Sequence, residues 1–171
     1  KLVKQYDIPL ISFTNDKSLS EKQIWISGFS PDDQVDKLIQ YVKKCKKNRI
    51  GFIGIENEYG FRVLKMIREK LKKIPLKKTI LFNEKDLKNK SELNYAVQDF
   101  LDYDELKNES EDNLEKLDAI FLIGDTNFII EIMPMLTYYD LDTKLTDILG
   151  TDVMNDDLLI REHSLINVKF P

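Results

Sequence analysis

The sequence predicts an α/β fold, three layers deep (α/β/α), around a mainly parallel sheet. Three observations predict it. Residues 49–55 and 117–124 are continuous apolar runs of strand length, the form taken by strands covered on both faces. The stretches around them carry apolar residues at helical spacing. The two kinds of segment alternate along the chain, and such alternation builds a parallel sheet with helices on both sides.

The first element is residues 7–14, DIPLISFT, where Pro9 opens a short apolar strand and Thr14-Asn15-Asp16 ends it with turn formers. A polar stretch leads to a second short strand at 24–29, IWISGF. Ser30-Pro31-Asp32-Asp33 then opens a helix. Ser30 can cap it, Pro31 suits the first helical position, and the two aspartates favour the positive end of the helix dipole. Val35, Leu38, Ile39, Val42 and Cys45 fall on one stripe of that helix, and Lys43, Lys44, Lys46 and Lys47 gather at its carboxyl end. Cys45, at the end of the apolar stripe, is expected to pack as a plain hydrophobe.

Residues 49–55 form the next strand, and after the turn at Tyr59-Gly60 the residues Val63, Leu64, Ile67 and Leu71 mark a second helix, closed by Lys72-Lys73 and Pro75. A strand follows at 79–82, TILF, then a helix on Leu93, Ala96, Val97, Phe100 and Leu101. Residues 102–116 are rich in acid and amide and read as a solvated excursion. The run 117–124, LDAIFLIG, is the strongest strand signal and leads into FIIEIMPML, a helix that Pro134 should kink or shorten. Residues 146–152 read as a strand ending at a glycine turn, and 165–170 as a last extended piece.

With 171 residues the chain is long enough for one domain and a sizeable core, and 42% hydrophobic residues make it a globular sequence. Its formal charge is −4, and its lysines are interleaved with acids, a pattern that argues against a nucleic-acid partner. No apolar run reaches the length of a membrane span. The opening residues, KLVKQ, do not read as a secretion signal. A single cysteine excludes an internal disulfide, and His163, the sole histidine, has no second His or Cys at metal-ligand spacing.

In a parallel sheet all carboxyl ends of strands lie on one edge, where ligands of open α/β sheets bind. The turns expected there read Glu56-Asn57-Glu58-Tyr59-Gly60, Gly124-Asp125-Thr126-Asn127 and Gly150-Thr151-Asp152. They offer carboxylates for an ammonium, and hydroxyls and helix-start amides for a carboxylate, which suits a zwitterion, a sugar or a peptide. The same residue types are also the usual occupants of strand-to-helix turns, because they cap helices. Tyr59 is the residue that capping explains least, although a tyrosine there can equally cover the core. The chain has no phosphate loop, no dinucleotide fingerprint and no nucleophile elbow, so no cofactor is implied and no catalytic scheme is supported.

The stretches IPLISFTND, WISGFSPDDQVDKLIQYV, NRIGFIGIENEYG and LDAIFLIGDTN, in this order and spacing, resemble the type I periplasmic binding protein superfamily, which includes the leucine/isoleucine/valine-binding proteins. The further stretches IMPMLTYYDLD and ILGTD resemble its penicillin-binding protein activator-like branch more than ordinary transport receptors. The resemblance implies two α/β lobes joined by crossing strands, with a ligand closed between them. It places residues 1–23 at the end of the first lobe and the hinge crossing, and residues 24–171 in the second lobe, so that the chain is expected to be a fragment of a longer protein.

The same resemblance implies cleft-facing positions: Ser12 and Thr14 at the hinge, Asn57 and Tyr59 in the first turn, Asp125, Thr126 and Asn127 in the second, and Thr151 and Asp152 in the third. Tyr59 and Asp152 would touch the ligand, with Asp152 taking an ammonium. The second turn lacks the aromatic that receptors often place over a ligand, unless Phe128 serves. The function implied is a non-enzymatic, extracytoplasmic binding module that regulates cell-wall synthesis with a peptidoglycan synthase as partner. The alternative is a solute receptor for an amino acid or similar small polar ligand in ABC-type uptake. Either implies the periplasm, with an outer-membrane lipid anchor as one form of the full-length protein.

Overall fold

The computed structural model describes residues 8–14, 19–28, 30–103, 116–161 and 168–171. In chain order the elements are β1 (Leu10–Ser12), β2 (Ile24–Ile26), α1 (Pro31–Lys44), β3 (Ile50–Ile55), α2 (Glu58–Leu71) and β4 (Leu76–Phe82). Then come α3 (Glu84–Lys88), α4 (Lys90–Leu101), β5 (Ala119–Ile123), α5 (Thr126–Tyr138), β6 (Asp147–Leu149), a 3-10 turn (Asp152–Asn155), α6 (Asp157–Ile160) and β7 (Val168–Lys169). His163, Asn15, Asp16 and residues 104–115 of the acidic excursion lie outside the described residues.

The main sheet has five strands in the order β4-β3-β5-β6-β7, and every neighbouring pair is parallel. Its strands alternate between two cores, which is what a sheet covered on both faces requires. On β5, Ala119, Phe121 and Ile123 pack with Val35, Leu38, Val42, Val63 and Ile67 of α1 and α2. Ile120 and Leu122 point the other way, into Leu93, Val97, Ile129, Ile132 and Leu136 of α4 and α5. Each fully buried aliphatic side chain of this kind contributes about 1.5–3 kcal/mol relative to exposure. The expected three-layer α/β/α architecture is therefore the one observed.

The first helix begins as its sequence dictates. Ser30 Oγ accepts from the Asp33 N–H, Pro31 stands at the first helical position, and Asp32 and Asp33 occupy the first turn. At the carboxyl end the expected packing of Cys45 does not hold: the residue caps the helix one step beyond the buried stripe and is exposed. Helix α5 runs through Pro134 without being shortened, from Thr126 to Tyr138. Pro134 is exposed there, where the unpaired carbonyl of the preceding turn can reach water.

Side chains at the amino edge lock the layers in register. Asp118 accepts the backbone N–H groups of Asn48 and Arg49, each at 2.9 Å, and the Arg49 guanidinium at 2.9 Å. Burial pushes the Asp118 carboxyl up, but those two amides and the guanidinium outweigh it and hold the pKa below the usual carboxylate value. Tyr41 Oη donates to Asp147 Oδ2 at 2.9 Å, and Lys47 Nζ lies 2.8 Å from the same oxygen. Burial, the bond to Asp147 and its charge raise the Tyr41 phenol, with a smaller contribution from Cys45.

Strands β1 and β2 stand apart from the main sheet. They pair with each other in parallel, Ile11 opposite Trp25, as a two-stranded sheet. Ile11 is 61% exposed and Trp25 53% exposed, so this small sheet presents an apolar face to solvent.

Candidate functional site

The connections leave the sheet in two directions. From β3 the chain passes through α2 to β4 on one side, while from β5 it passes through α5 to β6 on the other. Helix α2 lies on the α1 face and α5 on the opposite face. The switch point therefore falls between the carboxyl ends of β3 and β5, where a crevice is left for a ligand. The turns at 56–60 and 124–127 flank it, and β6 brings the turn at 150–152 alongside.

Two residues of the first two turns are spent on their helices. Asn57 Oδ1 accepts the Gly60 N–H at 2.8 Å and caps α2. Asp125 Oδ1 accepts the Phe128 N–H at 2.9 Å and caps α5. Gly60 is required by close approach, because a Cβ there would lie 2.0 Å from the Ile55 carbonyl oxygen. That contact folds the first turn of α2 tightly back over the end of β3.

The hydroxyls join turns that are far apart in sequence. Tyr59 Oη donates to Thr151 Oγ1 at 3.3 Å, spanning from the β3 turn to the β6 turn. Thr151 is 2% exposed. Burial raises the Tyr59 phenol; the Asp152 carboxylate adds to this, and Thr151 and Arg62 partly oppose it. Thr126 Oγ1 donates to Asp156 Oδ2 at 3.1 Å, tying the second turn to the start of α6, which Asp156 caps.

Gln34, absent from the sequence-derived set, completes the third turn. Its Oε1, reaching from α1, accepts the Asp152 N–H at 2.8 Å, and the residue is 3% exposed. The signal was present: Gln34 stands four residues before Leu38, so it interrupts an otherwise apolar buried stripe.

Among the expected positions, Asn57, Tyr59, Asp125, Thr126, Asn127, Thr151 and Asp152 therefore share the carboxyl edge, and Tyr59 and Thr151 touch directly. Ser12 and Thr14 do not belong to that edge; Ser12 ends β1 in the separate two-stranded sheet and Thr14 follows it. Phe128 does not cover the rim. It is 1% exposed and packs in the core with its ring centroid 6.2 Å from that of Phe82. The capping residues Asn57 and Asp125 are exposed, and so, with no part in a cap, are the side chains of Glu56, Glu58, Asn127 and Asp152, three carboxylates and an amide. Such a rim can pair with a cation and exchange hydrogen bonds. Among the described residues, no group of three His, Cys, Asp or Glu is placed to hold a metal ion, and no helix is long and apolar enough to cross a membrane.

No family model and no curated protein matches the sequence. Solved structures do resemble it. An extracellular ligand-binding receptor from Rhodopseudomonas palustris HaA2 superposes with a TM-score of 0.67 at 14% identity, covering 99% of this chain and 44% of that one. An ABC transporter substrate-binding protein from Desulfitobacterium hafniense gives 0.66 at 9% identity, covering 98% and 45%. A branched chain amino acid ABC transporter from Thermus thermophilus with bound valine gives 0.55 at 14% identity, covering 90% and 39%. At such identities the likeness is one of fold, and the expected periplasmic-binding-protein-like α/β architecture is the one shared. The chain spans less than half the length of each of these structures.

Proposed function

We propose that the chain is one lobe of a two-lobed binding protein, and that a small polar ligand bearing an ammonium group rests on the rim of Glu58, Asn127 and Asp152. One observation carries this reading: the three turns meet at the topological switch point, with Tyr59 and Thr151 hydrogen-bonded across them. In the same reading, residues 1–23 end the first lobe and cross the hinge, and residues 24–171 make the second lobe. The separate β1–β2 sheet, apolar and exposed, supports a crossing between two bodies. Ser12 and Thr14 would then meet the ligand from the hinge side. Uptake of an amino acid or similar solute by an ABC-type system is the use that the receptor-like neighbours favour.

Nitrogen–proton correlation spectra of the chain titrated with a panel of amino acids test the reading. A single lobe offers half the contacts, so affinity in the millimolar range is expected. Shifts should concentrate at residues 56–60, 124–127 and 150–152 and should vanish in Asp152→Asn. Shifts elsewhere, or none with any amino acid, would refute it.

A second reading is regulation of cell-wall synthesis, with a peptidoglycan synthase docked on the lobe and the crevice no longer used for small molecules. What favours it is that Asn57, Asp125 and the Tyr59 hydroxyl are already committed within the fold. This leaves an outward edge of carboxylates rather than a set of convergent donors. Pull-down of a synthase by the chain, with silent amino-acid titrations, would decide for this reading. Both readings place the protein outside the cytoplasm, and the regulator reading carries the lipid-anchored form with it.

A further inference from the structure

We infer that Gln34 is a positioning residue of the rim and sets its preference for an ammonium-bearing ligand; the inference rests on the binding reading above. Locally the third turn is closed by one backbone bond, from the Met154 N–H to the Thr151 carbonyl at 3.0 Å. Thr151 precedes the 3-10 turn without a side-chain capping bond, and the turn itself is four residues long. Three long-range hydrogen bonds hold it: the Gly150 N–H donates to the Lys169 carbonyl of β7 at 2.9 Å, and two more come from the layer formed by α1 and α2. Tyr59 of α2 donates to the Thr151 side chain at 3.3 Å, and Gln34 of α1 accepts the Asp152 N–H at 2.8 Å.

The two bonds are unequal in what they control. The Tyr59 bond fixes a side chain that points into the fold, since Thr151 is 2% exposed. The Gln34 bond fixes the backbone of Asp152, the residue whose carboxylate is exposed at the rim. With its amide held by Gln34 and its backbone angles by the 3-10 turn, the Cα–Cβ direction of Asp152 is set, and the carboxylate is left only its own rotamers. The 3-10 turn, closed by the Met154 N–H on the Thr151 carbonyl, holds the residues on either side, and the Gln34 bond is the one made to Asp152 itself from another element. Gln34 is itself a rigid anchor, lying between Pro31 and Leu38 on the buried stripe of a capped helix. A carboxylate aimed in advance discriminates for an ammonium; one on a loose turn must be ordered at the moment of binding and discriminates less.

Binding of L-valine is to be compared with binding of 3-methylbutanoate, its analogue lacking the ammonium, in wild type, Gln34→Asn and Gln34→Glu. Asn keeps a polar head but falls a methylene short of Asp152, while Glu keeps both length and acceptor. Gln34→Asn should lose about tenfold of the preference for valine, with faster hydrogen exchange at the Asp152 amide. Gln34→Glu should retain both. A merely structural role would weaken the two probes equally and would leave their ratio unchanged. An unchanged ratio in a folded Gln34→Asn overturns the positioning role alone. Should another amino acid of the panel bind in place of valine, it and its analogue lacking the ammonium are the pair compared; if wild type binds no amino acid, the binding reading fails and this role fails with it.

Discussion

Tyr59 and Thr151 stand 92 positions apart and share a hydrogen bond of 3.3 Å between Oη and Oγ1. Strand order makes this possible. β3 and β6 are the two neighbours of β5, so a tyrosine at the end of β3 must reach past β5 to touch the turn beyond β6. The resemblance implied that Tyr59 touches a ligand. In the fold its hydroxyl is engaged with Thr151 and ties two of the three turns together.

Removing this bond should loosen the rim without unfolding the lobe. Tyr59→Phe and Thr151→Val are each expected to cost about 0.5–1.5 kcal/mol in urea unfolding. The double variant should cost less than the sum of the two, because they share one interaction. Additive costs would show that the two side chains act independently.

The raised phenols predict a loss of stability in alkali. Both Tyr41 and Tyr59 are raised in the fold, so the native state holds their protons more tightly than the unfolded chain does. Their contribution is complete below the unfolded value of about 10 and disappears as pH rises above it. The stability advantage of wild type over the Tyr41→Phe, Tyr59→Phe double variant should therefore narrow above about pH 10. An advantage that stays constant through pH 11 in denaturant titrations would contradict this.

Asp118 predicts the opposite limb. Its pKa is lowered, so its stabilisation is present above the unfolded value of about 4 and is lost as pH falls below it. At neutral pH, Asp118→Ala should cost about 2 kcal/mol, since it strands the amides of Asn48 and Arg49 and the guanidinium. The gap between wild type and variant should close on acidification, measured by unfolding at pH 7 and pH 3.

Gly60→Ala is expected to be severe for its size. The added methyl would meet a backbone oxygen at 2.0 Å rather than a side chain that could turn aside. A cost of at least about 2 kcal/mol is expected, together with a shift of the amides at 56–60. A neutral substitution would mean that α2 can move away from the end of β3.

Cys45 offers a simple check on the exposed end of α1. Because the residue is exposed, it should react with a thiol reagent in the folded protein as completely as in denaturant. Protection in the native state would place it back among the packed residues.

The sequence by itself determined the elements and their class. The apolar runs at β3 and β5, the cap of Ser30 with Pro31, and the stripes of α1 and α2 are interactions among residues within about four positions, so they are legible from spacing alone. Asn57 and Asp125 were legible as caps for the same reason. Local pattern stopped short where the signal was weak: β4 begins three residues before its expected start at 79, and α3 and the 3-10 turn were not anticipated. The tertiary structure alone decided which turns meet. The contacts of Tyr59 with Thr151, Gln34 with Asp152 and Arg49 with Asp118 depend on the order β4-β3-β5-β6, the burial of Phe128 depends on its packing with Phe82, and β1 and β2 pair in a sheet of their own. Strand order is set by how two cores fill simultaneously on opposite faces of a sheet. No window of neighbouring residues carries that information.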